Sequence, residues 1–229
     1  MLILGHRGAP SLKQENTLAS FKAALSHNVD GIELDIQLTS DGEIIVYHDF
    51  KIIDTNNLPQ SIASLSLSDI KALCPHLQIA TLHDVCQLFP KNKIFNIEIK
   101  SQNLDNTKII QKTIKLLKQY QLLDNVIISS FNPFVLLQIK KEHPDIKLGL
   151  LWTGNNSEGW FVTHYSYYQL EPYSFHANID YLDSKLAKWA LKTHIQLFVY
   201  TVNTQEEVQK AQALNVHGIF TDFPKLLCN

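Results

Sequence analysis

Between Lys93 and Thr221 the chain repeats one pattern: a short apolar, β-branched run, then a longer amphipathic segment. The runs Lys93–Lys100, Asn125–Ser129, Lys147–Trp152, Phe175–Asn178, Gln196–Val202 and His217–Thr221 read as strands. The segments Asn106–Tyr120, Pro133–Lys141, Glu158–Gln169, Asp183–Thr193 and Gln205–Leu214 between them read as helices. Leu2-Ile3-Leu4 and Val29–Gln37 extend the pattern to the N-terminus, with a helix opening near Asn16-Thr17, Asn16 as its N-cap and Leu18, Phe21, Ala24 and Leu25 as its apolar stripe. Strands that alternate with helices form parallel βα units. Eight of them predict a (β/α)8 barrel of the TIM type, with an open doubly wound sheet as the alternative. No Gly-rich dinucleotide fingerprint or P-loop follows any of these strands, which removes the usual support for that alternative.

At 229 residues the chain has the length of one such barrel domain, 1–229. Residues 39–90, after strand two, break the alternation. They hold a short strand at Glu43–Tyr47, a polar loop at Asp54–Asn57 and helical pieces near Ser68–Leu73 and Leu82–Leu88, and are expected to be a small insertion. The formal net charge of −2 gives no basic field for nucleic acid. MLILGHRGAP lacks the charged start and long apolar stretch of a secretory signal, and no run approaches the roughly 20 apolar residues of a membrane helix. Cys74, Cys86 and Cys228 are scattered and odd in number, which favours reduced thiols and a cytoplasmic protein. Oligomeric state is not legible.

Chemistry collects in GIELDIQLTSDGEIIVYHD, residues 31–49. Glu33 and Asp35 stand i, i+2 in a strand, so both project from one face while Ile32, Leu34 and Ile36 take the other. A strand buried in a parallel sheet is expected to be almost wholly apolar, so two acids on one face need a cation, a partner or a wet cleft. In a barrel the functional rim is the C-terminal end of the strands. That rule gathers His6-Arg7, Glu33, Asp35, Asn96, Glu98, Lys100, Ser130-Phe131, Trp152, Asn203 and Asp222. Glu33, Asp35 and Glu98 form an all-oxygen set suited to a hard cation such as Mg²⁺ or Ca²⁺. Glu98 also has an ion-pair reading with Lys100. Arg7 and Lys100 are able to hold an anionic phosphate or simply to neutralise the acids, and charge counting leaves both readings open. Of the ten histidines, His6 and His48 differ from the rest because each follows a strand and flanks the acidic pair, which makes them the candidates for proton transfer. Phe131, Trp152 and Tyr200 are candidates for an apolar wall.

Taken together, His6-Arg7-Gly8, Glu15-Asn16-Thr17, Glu33-x-Asp35, Thr39-x-Asp41-Gly42, His48-Asp49 and Glu98-x-Lys100 resemble the glycerophosphodiester phosphodiesterase family. Ser129-Ser130-Phe131, Thr201-Val202-Asn203 and Gly218–Asp222 followed by Pro224 are similar to the later family pattern, so the likeness is collinear over essentially the whole chain. It departs at Gln14, where the family usually has proline, at Tyr200, where it usually has tryptophan, and after His48-Asp49, where a frequent arginine is missing. The resemblance implies a TIM barrel that hydrolyses a small-molecule glycerophosphodiester to glycerol 3-phosphate and an alcohol. It implies a divalent metal on Glu33, Asp35 and Glu98, an acid–base pair in His6 and His48, and Arg7 and Lys100 on the phosphate. Two other functions fit the same residues: a lysophospholipase D-type phosphodiesterase, and a catalytically silent barrel that binds phosphodiesters.

Overall fold

Strand β2, Gly31–Leu38, is buried at seven of its eight positions, because the sheet it sits in is covered on both faces. The computed structural model describes residues 1–154 and 166–227. Its strands in chain order are β1 (Leu2–Gly5), β2, β3 (Ile44–Val46), β4 (Lys51–Ile53), β5 (Pro59–Ser61), β6 (Ile94–Ile99), β7 (Val126–Ser130), β8 (Lys147–Trp152), β9 (Ser174–Asn178), β10 (Gln196–Tyr200) and β11 (Gly218–Thr221). Eight of these, β1, β2 and β6 to β11, pair in parallel, each with the next. The ring closes because β1 pairs on one side with β11, Leu2 opposite Gly218, and on the other with β2, Leu4 opposite Gly31. The expected (β/α)8 barrel is therefore observed.

The helices are α1 (Leu18–Leu25), α2 (Leu67–Leu73), α3 (Leu82–Leu88), α4 (Thr107–Tyr120), α5 (Pro133–Glu142), α6 (166–170), α7 (Ser184–Thr193), α8 (Gln205–Ala213) and α9 (Pro224–Leu227). Of the helix expected at Glu158–Gln169, residues 158–165 lie outside the described residues. In α4, Ile109, Ile110, Thr113, Ile114 and Leu117 are buried, which is the i, i+4 stripe of a helix laid on a sheet. One large apolar cluster joins such stripes to the outward faces of the strands, including Ile32, Leu34, Ile36, Ile97 and Ile99. A smaller one, Leu4, Ile127, Phe198 and Phe220, packs apart from it and fills the barrel interior.

Two local expectations are corrected. The N-cap of α1 is Thr17, whose hydroxyl accepts from the Ser20 amide, and not Asn16. Asn16 takes a left-handed conformation, φ 56°, and its side chain is spent on Asp35 instead. The stretch between β2 and β6 also contains a β4–β5 hairpin that sequence did not suggest. Its turn is held by Asp54, which accepts from the Asn56 and Leu58 amides at 2.8 and 3.0 Å. Ile45, Ile52, Ile62, Ile70 and Cys74 form a small apolar cluster under this segment. The expected strand at Glu43–Tyr47 is β3, antiparallel to β2 with Val46 opposite Ile36. That pairing delivers His48 to the rim, where the Gln37 amide donates to the carbonyls of Tyr47 and Asp49, both at 2.8 Å.

Gly31 begins the acid-bearing strand at the point where β2 meets β6. A Cβ there would lie 2.1 Å from the Ile94 carbonyl oxygen and 2.7 Å from the Ile94 Cβ. Gly31→Ala is expected to cost about 1–3 kcal/mol, since backbone cannot yield as a flexible side chain would. Urea unfolding of the folded variant measures this, and an unchanged midpoint would show that β2 and β6 tolerate separation.

Candidate active site at the carboxyl end of the barrel

Glu33 and Asp35 of β2 and Glu98 of β6 project into one space because β2 and β6 are neighbours in register, Asp35 opposite Glu98. All three are buried, and one carboxylate oxygen of each lies within 4.8 Å of the others. Two oxygens bound to one Ca²⁺ are at most about 5 Å apart, so the spacing fits a single hard cation. Asp35 Oδ1 is buried and has no hydrogen-bond partner among the described residues, which leaves a lone pair for such an ion. Burial, then the neighbouring Asp35 and Glu98 charges, push the Glu33 carboxyl well above its ordinary range. Glu98 is pushed up to about 7 by burial and by Asp35, against the pull of Lys100. Three carboxylates held this way are poorly compensated by the protein alone, and a divalent cation is the chemistry that would relieve them.

The two sequence-selected cations are already engaged. Arg7 Nη1 donates to Glu15 at 2.9 Å, its Nε lies 3.5 Å from Asp35, and its backbone N–H donates to Glu33 at 2.8 Å. Lys100 Nζ meets Glu98 at 2.9 Å and Asp35 at 3.8 Å. Asn16 completes the shell around Asp35, donating through Nδ2 at 2.9 Å and accepting the Asp35 amide at 3.3 Å. Sequence reasoning did not foresee this role for Asn16, since a polar residue before a helix reads most simply as a cap.

Each candidate histidine is oriented through Nδ1 by a carboxylate: His6 by Asp222 at 2.8 Å and His48 by Asp49 at 2.7 Å. A carboxylate on Nδ1 keeps the proton there, which makes Nε2 the basic, exchanging nitrogen. Asp222 is fixed in turn by Asn203, whose Nδ2 donates to it at 2.8 Å and whose Oδ1 accepts the Asp222 amide at 2.9 Å. Burial alone would raise the Asp222 carboxyl, but the hydrogen bond and charge of His6 hold it below its ordinary value. The partner of His48 is more exposed, with 71% of the Asp49 side chain open against 27% for Asp222.

A cavity of about 210 Å³ brings together His6, Arg7, Glu33, His48, Glu98, Phe131 and Tyr200. Lys100 lines two other cavities instead, one of which shares Glu98 and Phe131 with this one, and its ammonium lies 5.7 Å from the centre of the Phe131 ring. Phe131 and Tyr200 meet edge to face at 6.2 Å. Trp152 contributes its carbonyl, which accepts from the Tyr200 hydroxyl at 2.8 Å, while its ring packs on Phe175 and Tyr181. The same cavity is lined by Asn96, Ser129 and His176. His176 carried no distinguishing signal in sequence, because it lies far along the chain from Glu33, Asp35 and Glu98, and only the curvature of the barrel brings it to the cavity that Glu33 and Glu98 line.

Comparison with known proteins agrees with the barrel fold. The sequence profile of the glycerophosphoryl diester phosphodiesterase family matches residues 6–226. A glycerophosphodiester phosphodiesterase of Caldanaerobacter subterraneus subsp. tengcongensis is 36% identical over 238 residues, covering 100% of this chain and 96% of the relative. The crystal structure of a glycerophosphodiester phosphodiesterase from Thermotoga maritima superposes with a TM-score of 0.80 at 28% identity, covering 99% of this chain and 96% of that one. A phosphodiesterase from Oleispira antarctica, solved with the product sn-glycerol-3-phosphate, shares the fold with a TM-score of 0.85 at 22% identity, over 99% and 95% of the two chains.

The raised carboxyls have a measurable consequence. In chelator-treated protein, Glu98 binds a proton in the folded state between its ordinary 4.5 and about 7, where the unfolded chain does not. Stability should therefore be greatest near the lower limit and fall as pH rises through that window. Adding Mg²⁺ or Ca²⁺ at about a hundredfold its Kd should raise Tm by about 5–10 °C at pH 8, and by far less at pH 5, where protons compete for the same oxygens. Calorimetry across pH reads both effects, and a cation response that is absent or equal at the two pH values would remove the metal from this site.

Proposed function

The chain belongs to the glycerophosphoryl diester phosphodiesterase family, and on that basis we propose that it hydrolyses glycerophosphodiesters to glycerol 3-phosphate and an alcohol. The observation that carries this reading is a cluster of three buried carboxylates, two of which, Glu33 and Glu98, line one cavity with two carboxylate-oriented imidazoles. Glu33, Asp35 and Glu98 would hold a divalent cation, Mg²⁺ or Ca²⁺, which would supply positive charge against the phosphodiester and against the charge that grows in the transition state. Arg7 and Lys100, now paired with the acids, share their donors with the non-bridging phosphate oxygens of a bound substrate. Phe131 and Tyr200 wall the cavity and exclude water from one side. One of His6 and His48 takes the proton of the attacking oxygen at Nε2, and the other gives a proton to the leaving alcohol oxygen. We place the enzyme in the cytoplasm, as one catalytic domain with residues 39–90 inserted. The three scattered cysteines of the sequence, Cys74, Cys86 and Cys228, support that compartment.

Apolar side chains support a second reading. Phe50, Leu104, Phe131 and Phe134 line a cavity of about 390 Å³ that also reaches Glu98 and Lys100. That surface suits an acyl chain, so lysophospholipids are the competing substrate class. Turnover of glycerophosphocholine against lysophosphatidylcholine ranks the two, and a preference for the lysolipid would displace the first reading.

Glycerophosphocholine hydrolysis should vanish in EDTA and return with added Mg²⁺ or Ca²⁺. Glu33→Gln, Asp35→Asn and Glu98→Gln should each abolish turnover and lower metal content while the protein stays folded. Full metal and full activity in any one of them would take that residue out of the site.

His6→Ala and His48→Ala should each cost about 10²–10⁴ in rate and remove one limb of a bell-shaped pH profile. The variant that lacks the acid should recover in part on a nitrophenyl ester, whose leaving group needs no proton, and this identifies the acid. Near-normal turnover in both folded variants would refute the acid–base pair.

A further inference from the structure

Beside Glu33 and Glu98 the barrel interior departs from the branched aliphatic filling usual for this fold. Asn96 on β6, Ser129 on β7, Gly149 on β8, and Ser174 and His176 on β9 run across four neighbouring strands, and all are buried. Asn96 Nδ2 donates to Ser129 Oγ at 2.9 Å, and Ser174 Oγ lies 2.8 Å from His176 Nε2. Each pair leaves one atom over: Asn96 Oδ1 and His176 Nδ1 are buried and have no hydrogen-bond partner among the described residues. Buried polar groups are nearly always satisfied, so two unsatisfied ones lining a single cavity mark a place where something else binds. That cavity is the one that holds Glu33, Glu98, His6 and His48.

The room for the imidazole is specific. A Cβ at position 149 would lie 2.7 Å from His176 Cε1 and 3.1 Å from Ser129 Cβ, so glycine there admits the ring. The ring is neutral at working pH, because burial pushes His176 down to about 3. It offers a hydrogen bond and no charge. Asn96 lies two residues before Glu98 on the same face of β6, about 6.6 Å deeper, and is the register partner of Glu33. A ligand anchored by its phosphate near the acids would therefore place its far end here.

We propose that this polar floor is the subsite for the terminal hydroxyl of the glycerol half of the substrate, which rests on the glycerophosphodiester reading above. A hydroxyl both donates and accepts. It donates to Asn96 Oδ1 and accepts from His176 Nδ1–H, while Ser174 donates to His176 Nε2. The terminal hydroxyl is the one farthest from the phosphate, and the floor makes the enzyme selective for glycerol over shorter or deoxygenated alcohols in that position.

The test compares glycerophosphocholine with an analogue built on propane-1,2-diol, which keeps the hydroxyl next to the ester and lacks the terminal one. Wild-type kcat/KM should be about tenfold to a hundredfold lower for the analogue. Asn96→Ala and His176→Phe should lower kcat/KM for glycerophosphocholine by a similar factor and leave the analogue within about threefold of wild type. Calorimetric binding of glycerol 3-phosphate against propanediol phosphate to wild-type protein should show the same preference, and needs no variant to fold. Equal wild-type turnover and binding of the two would overturn the proposal and leave only water in the floor. Equal losses on both substrates in folded variants would overturn it in favour of a structural role. Hydrolysis of neither substrate by wild type would bring down the glycerophosphodiester reading, and this inference with it.

Discussion

Three carboxylates that cannot all be ionised in isolation govern this molecule. Glu33 and Asp35 share one face of β2, and Glu98 faces them from β6, each almost removed from water. Like charges in a low-dielectric space repel and lose hydration together, so both glutamates are driven toward the neutral form. The surroundings are organised to offset this. Arg7 bends into a left-handed conformation, φ 50°, so that its backbone N–H reaches Glu33 while its guanidinium lies between Asp35 and Glu15. Lys100 leaves the end of β6 to meet Glu98, and Asn16 gives up a capping role to hold Asp35. Asp35 Oδ1 still accepts no hydrogen bond among the described residues, with Lys100 Nζ 3.8 Å away, so the cluster has room for further positive charge.

The histidines obey a different constraint. They have to reach the same space without being locked to the acids, so each is tied to a carboxylate of its own. The His6–Asp222–Asn203 chain crosses from the end of β1 to residues beyond β11 and β10, and β1 and β11 are neighbours only because the barrel closes. His48 depends on the inserted segment, where β3 pairs with β2 and the Gln37 amide holds the following turn. Gln37 thus continues the face that carries Glu33 and Asp35, so one strand positions two metal-ligand candidates and one proton-transfer candidate. Tight steric fits at Gly31 and Gly149 serve the same end, by letting β2 close on β6 and by admitting an imidazole to the floor.

Much of this was legible in the chain itself. Strand–helix alternation settles a parallel α/β architecture, because burial of both faces of a parallel sheet demands apolar strands and amphipathic crossovers of definite length. The acidic pair could be read from i, i+2 alternation, and the rim positions of Glu98, Lys100 and Asp222 from the rule that a barrel's functional face lies at the C-terminal ends of its strands. Motif spacing then pointed to the family. What lay beyond reach depended on contacts between residues distant in sequence. The real cap of α1, the Asn16–Asp35 bonds, the partners of His6 and the β4–β5 hairpin all turn on which of several polar neighbours a side chain meets. His176 is the clearest case. A histidine in an apolar run carries no local mark of purpose, and only the curvature of the barrel sets it at one cavity with Asn96, Ser129, Glu33 and Glu98. Local sequence determined which elements form and which way their side chains point; three-dimensional closure alone decided which of those side chains meet, because hydrogen bonds and Coulomb forces act over a few ångströms of space and take no account of distance along the chain.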